Sequence, residues 1–368
     1  MEAIWPIAFG SVLCLFIAQF LLALIFCNRH KNNERPTLPR IDKISIVIPF
    51  HNEENRIQDL LESLNKQEKW SNDFELIFVN DFSDDKTVEM IQSNLKIPYE
   101  ITHLNKKKGK KQALHEGIQK AKHDFILTLD ADVKPNDNYF NSLFKLPQVD
   151  MIILPVTMVS NTVFQELTSI EFSWLQLLTF GSKKPILCSG ANLIFKKSAY
   201  EKSLKMRSDF GIASGDDVFL LQAFSASQKK VDRFFDDDLT VETKAPAGFM
   251  NLLRQRKRWL SKFSKMADIK NTKLVLFLLL LQFAFIFSLI AIPFYPYFLF
   301  LIVLKIMTEF VATINQRHSG YQLIFPLIII HQIWYPIYLL LLSFPFKSDV
   351  KWRHLDLEIV DSPNTEVE

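Results

Sequence analysis

Apolar residues are spread so unevenly along this sequence that one soluble globule cannot absorb them: both ends are rich in hydrocarbon and the middle is not. Residues Ala3 to Cys27 carry no charged side chain and exceed the about 20 apolar residues needed to cross a bilayer. The start, Met1-Glu2-Ala3, lacks the basic residues of a secretory leader and no small-residue cleavage site follows, so this segment is expected to be a retained anchor. Three further apolar segments, about Lys273 to Pro293, about Pro296 to Ile314 and about Leu323 to Phe344, are near spanning length. A buried core helix accounts for any one of them, but three in succession are hard to bury in a domain this small. Four spans are therefore expected.

Basic residues beside the first span set its direction. Arg29, Lys31, Arg35, Arg40 and Lys43 stand there against Glu34 and Asp42, which makes this side cytoplasmic and the protein a multi-pass cell-membrane protein with its central domain in the cytoplasm. The loop Asn315 to Gln322, with Arg317 and His318, fits the same side. Lys347, Lys351 and Arg353 do not fit. Either one segment re-enters, for which Pro336 offers a break, or the charge bias is overruled there. Lys305 and Glu309, four residues apart within the third span, either neutralise each other or form a polar stripe with Gln282 and His331.

A net charge of +3 is too small to imply nucleic acid, and the juxtamembrane Lys and Arg instead suit anionic membrane lipids. The three cysteines, Cys14, Cys27 and Cys188, have no paired spacing, so neither a disulfide frame nor a zinc site is expected.

From Lys43 to about Thr243 short apolar runs alternate with amphipathic stretches. Ile44 to Pro49, Phe74 to Val79 and Phe125 to Leu129 read as strands. Helices are expected over Glu54 to Asn65, from about Lys86, and around Ala113, Leu114, Gly117 and Ile118. This alternation predicts a mainly parallel sheet with ligands beyond the strand ends. Val163 to Phe180 repeats Phe164, Leu167, Ile170, Trp174 and Leu177 at helical spacing, as a helix packed on the domain or lying at the membrane interface.

Asp130 and Asp132 follow an apolar strand, so their carboxylates emerge at its end, where Mg²⁺ or Mn²⁺ can bind together with a diphosphate; solvated turn carboxylates give the same tripeptide. Asp81, past the second strand, can accept from a base N–H or a ribose hydroxyl, or else cap a turn with Ser83, Asp84 and Asp85. Lys110 stands in a lysine run that either neutralises phosphate or is a solvated face. Asp216 and Asp217 offer a general base for an acceptor hydroxyl, or a helix cap. Gln255, Arg258 and Trp259 share an amphipathic helix before the second span; for Arg254, Arg256 and Lys257 an interfacial basic face suffices. With nine glycines and no phosphate-loop or dinucleotide fingerprint, ATP hydrolysis and nicotinamide redox chemistry are poor candidates.

In this order, Asp81, Asp130-Ala131-Asp132, Gly215-Asp216-Asp217 and Gln255 to Trp259 resemble the membrane-bound family 2 glycosyltransferases of GT-A fold, over about Ile44 to Trp259 and the flanking spans. The resemblance implies an α/β nucleotide-diphospho-sugar transferase domain, Rossmann-like, flanked by transmembrane helices. It implies that Pro49 to Glu53 and Asp81 line a nucleotide pocket, that Lys110 approaches the nucleotide, and that Asp130 and Asp132 hold metal and diphosphate. It makes Asp217 the base with Asp216 beside it, sets Gly190-Ala191-Asn192 near the donor sugar, and gives Gln255, Arg258 and Trp259 the diphosphate and acceptor. His51 stands where an arginine is common and Asn80 replaces a frequent aspartate, while Lys351-Trp352-Arg353 only faintly echoes a tail motif of some relatives.

The expected layout is an anchor over 1–28, a catalytic domain over 43–245, interfacial helices over 246–272, three spans over 273–345 and a polar tail over 346–368. The expected activity moves a sugar, UDP-linked first of all, to a lipid-linked or polysaccharide hydroxyl at the cytoplasmic membrane face. A processive polysaccharide synthase is the alternative, and a non-catalytic nucleotide-sugar-binding scaffold the rival from another class.

Overall fold

A computed structural model describes residues 4–31, 38–66, 73–105, 109–182, 184–185, 187–207, 216–263, 269–314 and 324–343. In chain order the elements are α1 (Ile4–Lys31), β1 (Ile44–Phe50), α2 (Gln58–Asn65), β2 (Phe74–Asn80), α3 (Thr87–Asn94), β3 (Glu100–His103), α4 (Lys110–Lys120) and β4 (Phe125–Leu129). Then follow β5 (Val133–Pro135), α5 (Tyr139–Leu143), β6 (Met151–Ile153), β7 (Val156–Val159), α6 (Val163–Gly181), β8 (Asn192–Lys196), α7 (Lys197–Ser203) and α8 (Asp216–Ala226). The last are β9 (Val231–Arg233), β10 (Val241–Lys244), α9 (Phe249–Phe263), α10 (Ile269–Ala291), α11 (Phe298–Ile314) and α12 (Ile324–Ser343). They form two compact units, an α/β unit from Asn33–Val159 and Lys183–Lys244, and a helical unit from Met1–Asn32, Ser160–Ser182 and Ala245–Ser348.

In the α/β unit a seven-stranded sheet has the order β3-β2-β1-β4-β8-β6-β9, and a three-stranded sheet has the order β5-β10-β7. All seven residues of β1 are buried, as the unbroken apolar run Ile44 to Phe50 requires of a central strand. β1 runs parallel to β2 and to β4, β2 runs parallel to β3, and β8 is antiparallel to both β4 and β6. The chain steps outward from β1 through β2 to β3 and then returns to β1's other side as β4. That reversal opens a crevice at the carboxyl ends of β1 and β4, where doubly wound sheets bind ligands. Helix α4 lies very close to the sheet, because a Cβ on Gly117 would meet Val47 Cγ1 at 2.4 Å. The expected helices after β1 and β2 are present; the second starts at Thr87 as expected, whereas the first starts later, at Gln58, since the intervening residues form a loop of the site.

The helical unit gathers α1, α6 and the helices from Ala245 onward. Phe16 of α1 packs with Leu281 and Phe285 of α10 and with Phe298 and Leu301 of α11. Helix α6 runs among these helices: Leu177 meets Ala23 and Ala312, and Leu167 and Ile170 meet Ile324 and Ile328. The segment Ser160–Ser182 thus interrupts the 43–245 range expected for the catalytic domain.

Among the described residues two helices are long and apolar enough to cross a membrane, Ile4–Asn28 and Ile324–Leu342. The apolar part Leu276–Ala291 of α10 and the 17 residues of α11 are shorter. The loop 315–322, the tail 346–368 and the side chains of Arg29, Lys31, Arg35 and Asp216 lie outside the described residues.

Candidate functional site

Parallel registry brings the ends of β1 and β2 level, with Phe50 opposite Asn80, so the loops that follow are neighbours. They are stitched together. Asp81 N donates to Phe50 O at 2.9 Å and His51 Nδ1 to Asp81 O at 2.6 Å. Asn52 Nδ2 donates to Asp84 Oδ1 at 2.6 Å while Asp84 N returns a bond to Asn52 Oδ1 at 3.0 Å. Glu53 N donates to Thr87 Oγ1, and Glu54 N to Asp85 Oδ2. Burial pushes the Asp85 carboxyl up, yet its bonds from Thr87 and Glu54 outweigh that and hold it below the usual carboxylate range. Asn52 and Phe82 take left-handed backbone, at φ 53° and 56°, as sharp chain reversals at a ligand edge do.

The segment Pro49 to Glu53 and Asp81 therefore do meet in one place. Asp81 is fully buried, and both of its oxygens accept from Gly109 N at 2.9 Å. Gly109 sits at φ 126°, a conformation that suits glycine, and starts α4. Asp81 so secures the turn that delivers Lys110, whose Nζ lies 2.5 Å from Asp130 Oδ1. Arg56 reaches the same edge, with Nη2 2.9 Å from Glu53 Oε2 and Nη1 3.8 Å from Asp132 Oδ2.

Asp130 and Asp132 keep 31% and 26% of their side-chain surface open. Burial, and then the neighbouring Asp130 carboxylate, push the Asp132 carboxyl above its ordinary range against the pull of Arg56 and Lys110. Two hard carboxylates with negative charge in excess suit a divalent cation. Among the described residues no group of three acidic, histidine or cysteine side chains forms a closed cage. Mg²⁺ and Mn²⁺ fit that arrangement, since one or two carboxylates with water and phosphate oxygens complete such a shell.

Asp217, in the first turn of α8, accepts from Val218 N at 2.8 Å through Oδ1 and from Gly190 N at 3.3 Å through Oδ2. It lines a groove with Lys111, Thr128, Gly190, Tyr200 and Arg207 over an apolar floor that includes Leu114 and Leu193. Thr128 Oγ1 holds Gly190 O at 2.9 Å. Lys111 and Thr128 lie one and two residues from Lys110 and Asp130, which ties this groove to the β4–α4 edge.

Asn192 departs from expectation. Its side chain is fully buried, donates to Pro155 O and Leu239 O, and accepts from Tyr139 Oη at 2.5 Å. Both amide donors and the amide oxygen are thereby engaged in joining β8 to its neighbours, and the loop offers the groove Gly190 instead.

Gln255, Arg258 and Trp259 stand together on α9 of the helical unit, each half-buried. Sequence reasoning missed Arg56, Arg207 and Tyr200. Arg56 lies three residues after Glu53, a spacing that offers a signal, whereas Arg207 and Tyr200 sit in no motif.

The family model for glycosyl transferase family 2 matches residues 45–204, and that for glycosyl transferase family group 2 matches residues 125–345. The chain is 36% identical over 104 residues to an undecaprenyl-phosphate 4-deoxy-4-formamido-L-arabinose transferase of Proteus mirabilis, covering 27% of this chain and 31% of that protein. It is 26% identical over 309 residues to the poly-beta-1,6-N-acetyl-D-glucosamine synthase of Staphylococcus epidermidis, covering 77% of this chain and 69% of the relative. The fold is shared with the mannosyltransferase PcManGT from Pyrobaculum calidifontis, solved in complex with GDP-Man and Mn2+. That match has a TM-score of 0.51 at 14% identity over 84% of this chain and 98% of the other.

Proposed function

The chain belongs to glycosyl transferase family 2, and from that premise we propose an inverting transfer from a nucleotide-diphosphate sugar, a UDP-sugar foremost, to a lipid-linked or polysaccharide hydroxyl at the cytoplasmic membrane face. One observation carries the reading. The part-open carboxylates Asp130 and Asp132, with Lys110 and Arg56 beside them, follow strand β4, whose Thr128 lines the same groove as Asp217.

In this reading Asp217 takes the proton of the acceptor hydroxyl as that oxygen bonds to the anomeric carbon. The bond from that carbon to the diphosphate oxygen breaks, its electron pair leaves with the nucleoside diphosphate, and attack from the opposite face inverts the configuration. Lys110 shields the charge that develops on the departing phosphates. Asp130 and Asp132 would hold Mg²⁺ or Mn²⁺, which when bound neutralises the diphosphate; the solved mannosyltransferase of this fold holds Mn2+ with its nucleotide sugar. Gln255, Arg258 and Trp259 are assigned the acceptor and diphosphate on their motif alone. The four apolar helices α1, α10, α11 and α12 make the protein multi-pass in this reading, with the α/β unit facing the cytoplasm.

A polymer-forming version is favoured by the Staphylococcus epidermidis relative, whose match extends over 77% of this chain. The purified protein in detergent, given radiolabelled nucleotide sugars singly with lipid extract and Mn²⁺, should label the lipid fraction from one donor, with inverted anomeric configuration. A ladder of sugar chains selects the polymer-forming version. Retained configuration, or no transfer from any nucleotide sugar, contradicts the proposal.

A further inference from the structure

Arg254, Arg256, Lys257 and Arg258 look alike in sequence as the basic face of an interfacial helix, but α9 treats one of them differently. Arg254 is exposed and Lys257 and Arg258 are half-buried, whereas Arg256 retains 3% of its surface, beside buried Leu252 and Leu253. An arginine withdrawn from water is costly unless its charge and donors are met. Here Nε, Nη1 and the face of the guanidinium each have a separate task, while Nη2 is buried without a hydrogen-bond partner among the described residues. Nε lies 2.9 Å from Glu171 Oε2 on α6, and Nη1 donates to Gln255 Oε1 at 2.5 Å. The plane stacks over the Trp259 ring, 4.2 Å from its centroid. From α6, Phe172 meets the same indole at 6.4 Å.

Arg256 thus grips both ends of the stretch Gln255 to Trp259 while anchored to α6. Only arginine can do so, since a lysine ammonium has neither two donor edges nor a stacking plane. We propose that Arg256, with Glu171, is a positioning residue that fixes the side chains of Gln255 and Trp259 without itself touching substrate. Its consequence for turnover rests on the reading of those two residues as acceptor and diphosphate contacts.

The test uses the full chain in detergent, labelled with 5-fluorotryptophan, with the Trp259 resonance assigned by Trp259→Phe. Arg256→Lys and Glu171→Gln should each move the Trp259 ¹⁹F resonance and leave those of the other tryptophans in place. UDP binding with Mn²⁺ should stay within about twofold, while transfer from the radiolabelled nucleotide sugar to lipid extract falls about 10- to 100-fold, through kcat rather than donor KM. Glu171→Gln, which keeps a hydrogen-bond acceptor, should lose less than Arg256→Lys. An unmoved Trp259 resonance, or transfer at the wild-type rate in Arg256→Lys, overturns the proposal. Collapse of all tryptophan resonances in both variants overturns it too, because the pair would then hold the fold and not the motif. Wild-type transfer by Gln255→Ala and Trp259→Phe would instead overturn the functional reading of the motif, and the fluorine shifts would still judge the positioning.

Discussion

The two units handle charge in opposite ways. In the α/β unit Asp130 and Asp132 stay about a quarter to a third open, and Asp132 faces its cation only at 3.8 Å. In the helical unit Lys305 and Glu309 are almost wholly buried and paired. Glu309 also accepts from Gln19 Nε2 of α1 and from Trp174 Nε1 of α6. Among the described residues its hydrogen bonds run to those side chains and not to Gln282 or His331, although His331 of the expected polar stripe lies near enough to interact electrostatically with the pair. An acidic group part-open to solvent at a strand end is accessible to a ligand. One whose oxygens are all engaged by three helices instead holds them in register.

That contrast breaks first at the two part-open carboxylates. Asp132→Asn should abolish both transfer and Mn²⁺-dependent UDP binding while the circular dichroism spectrum is unchanged. Undiminished transfer by this variant in chelator would mean that the open carboxylates serve no metal. In the helical unit the expected loss is one of stability. Lys305→Met alone leaves Glu309 without its cation and should destabilise the protein in detergent by about 3–5 kcal/mol. Removing both charges with Lys305→Met and Glu309→Leu should recover most of that, with wild-type donor binding and turnover. Impaired acceptor use with normal donor binding in the double variant would restore the polar stripe.

The smallest effect is a pH dependence. The folded Asp132 carboxyl is raised above its ordinary value, so ionising it opposes folding, and this penalty grows as pH rises through the raised value. In EDTA, Asp132→Asn should raise the melting temperature at about pH 7 and leave it nearly unchanged at about pH 2, below the ordinary carboxylate range, where both states are protonated. An equal gain at both pH values would assign the effect to packing rather than charge.

Strands β1, β2 and β4 were legible because central strands must be unbroken apolar runs, and α6 because its apolar side chains recur at helical spacing. The edge strand β3 was not: four residues with a single buried side chain carry too little pattern. A buried, fully bonded Asn192 and a ligand-facing asparagine look the same in sequence, and only the pairing of β8 with β4 and β6 separates them. Arg56 meets Asp132 through the sheet topology, a relation that no local spacing records. Arg256 was read as part of an interfacial basic face, since the rotation of α9 against α6 and α12 cannot be known before those helices are packed.

The central claim is that Asp217 supplies the base, and it is tested most directly by separating nucleotide binding from transfer in Asp217→Asn, with Asp216→Asn as the control. The account predicts that Asp217→Asn binds UDP and Mn²⁺ as the wild type does and loses about 10²- to 10⁴-fold in transfer, while Asp216→Asn is milder. Wild-type transfer by Asp217→Asn, with catalysis lost in Asp216→Asn alone, would contradict it and move the base to the neighbouring carboxylate.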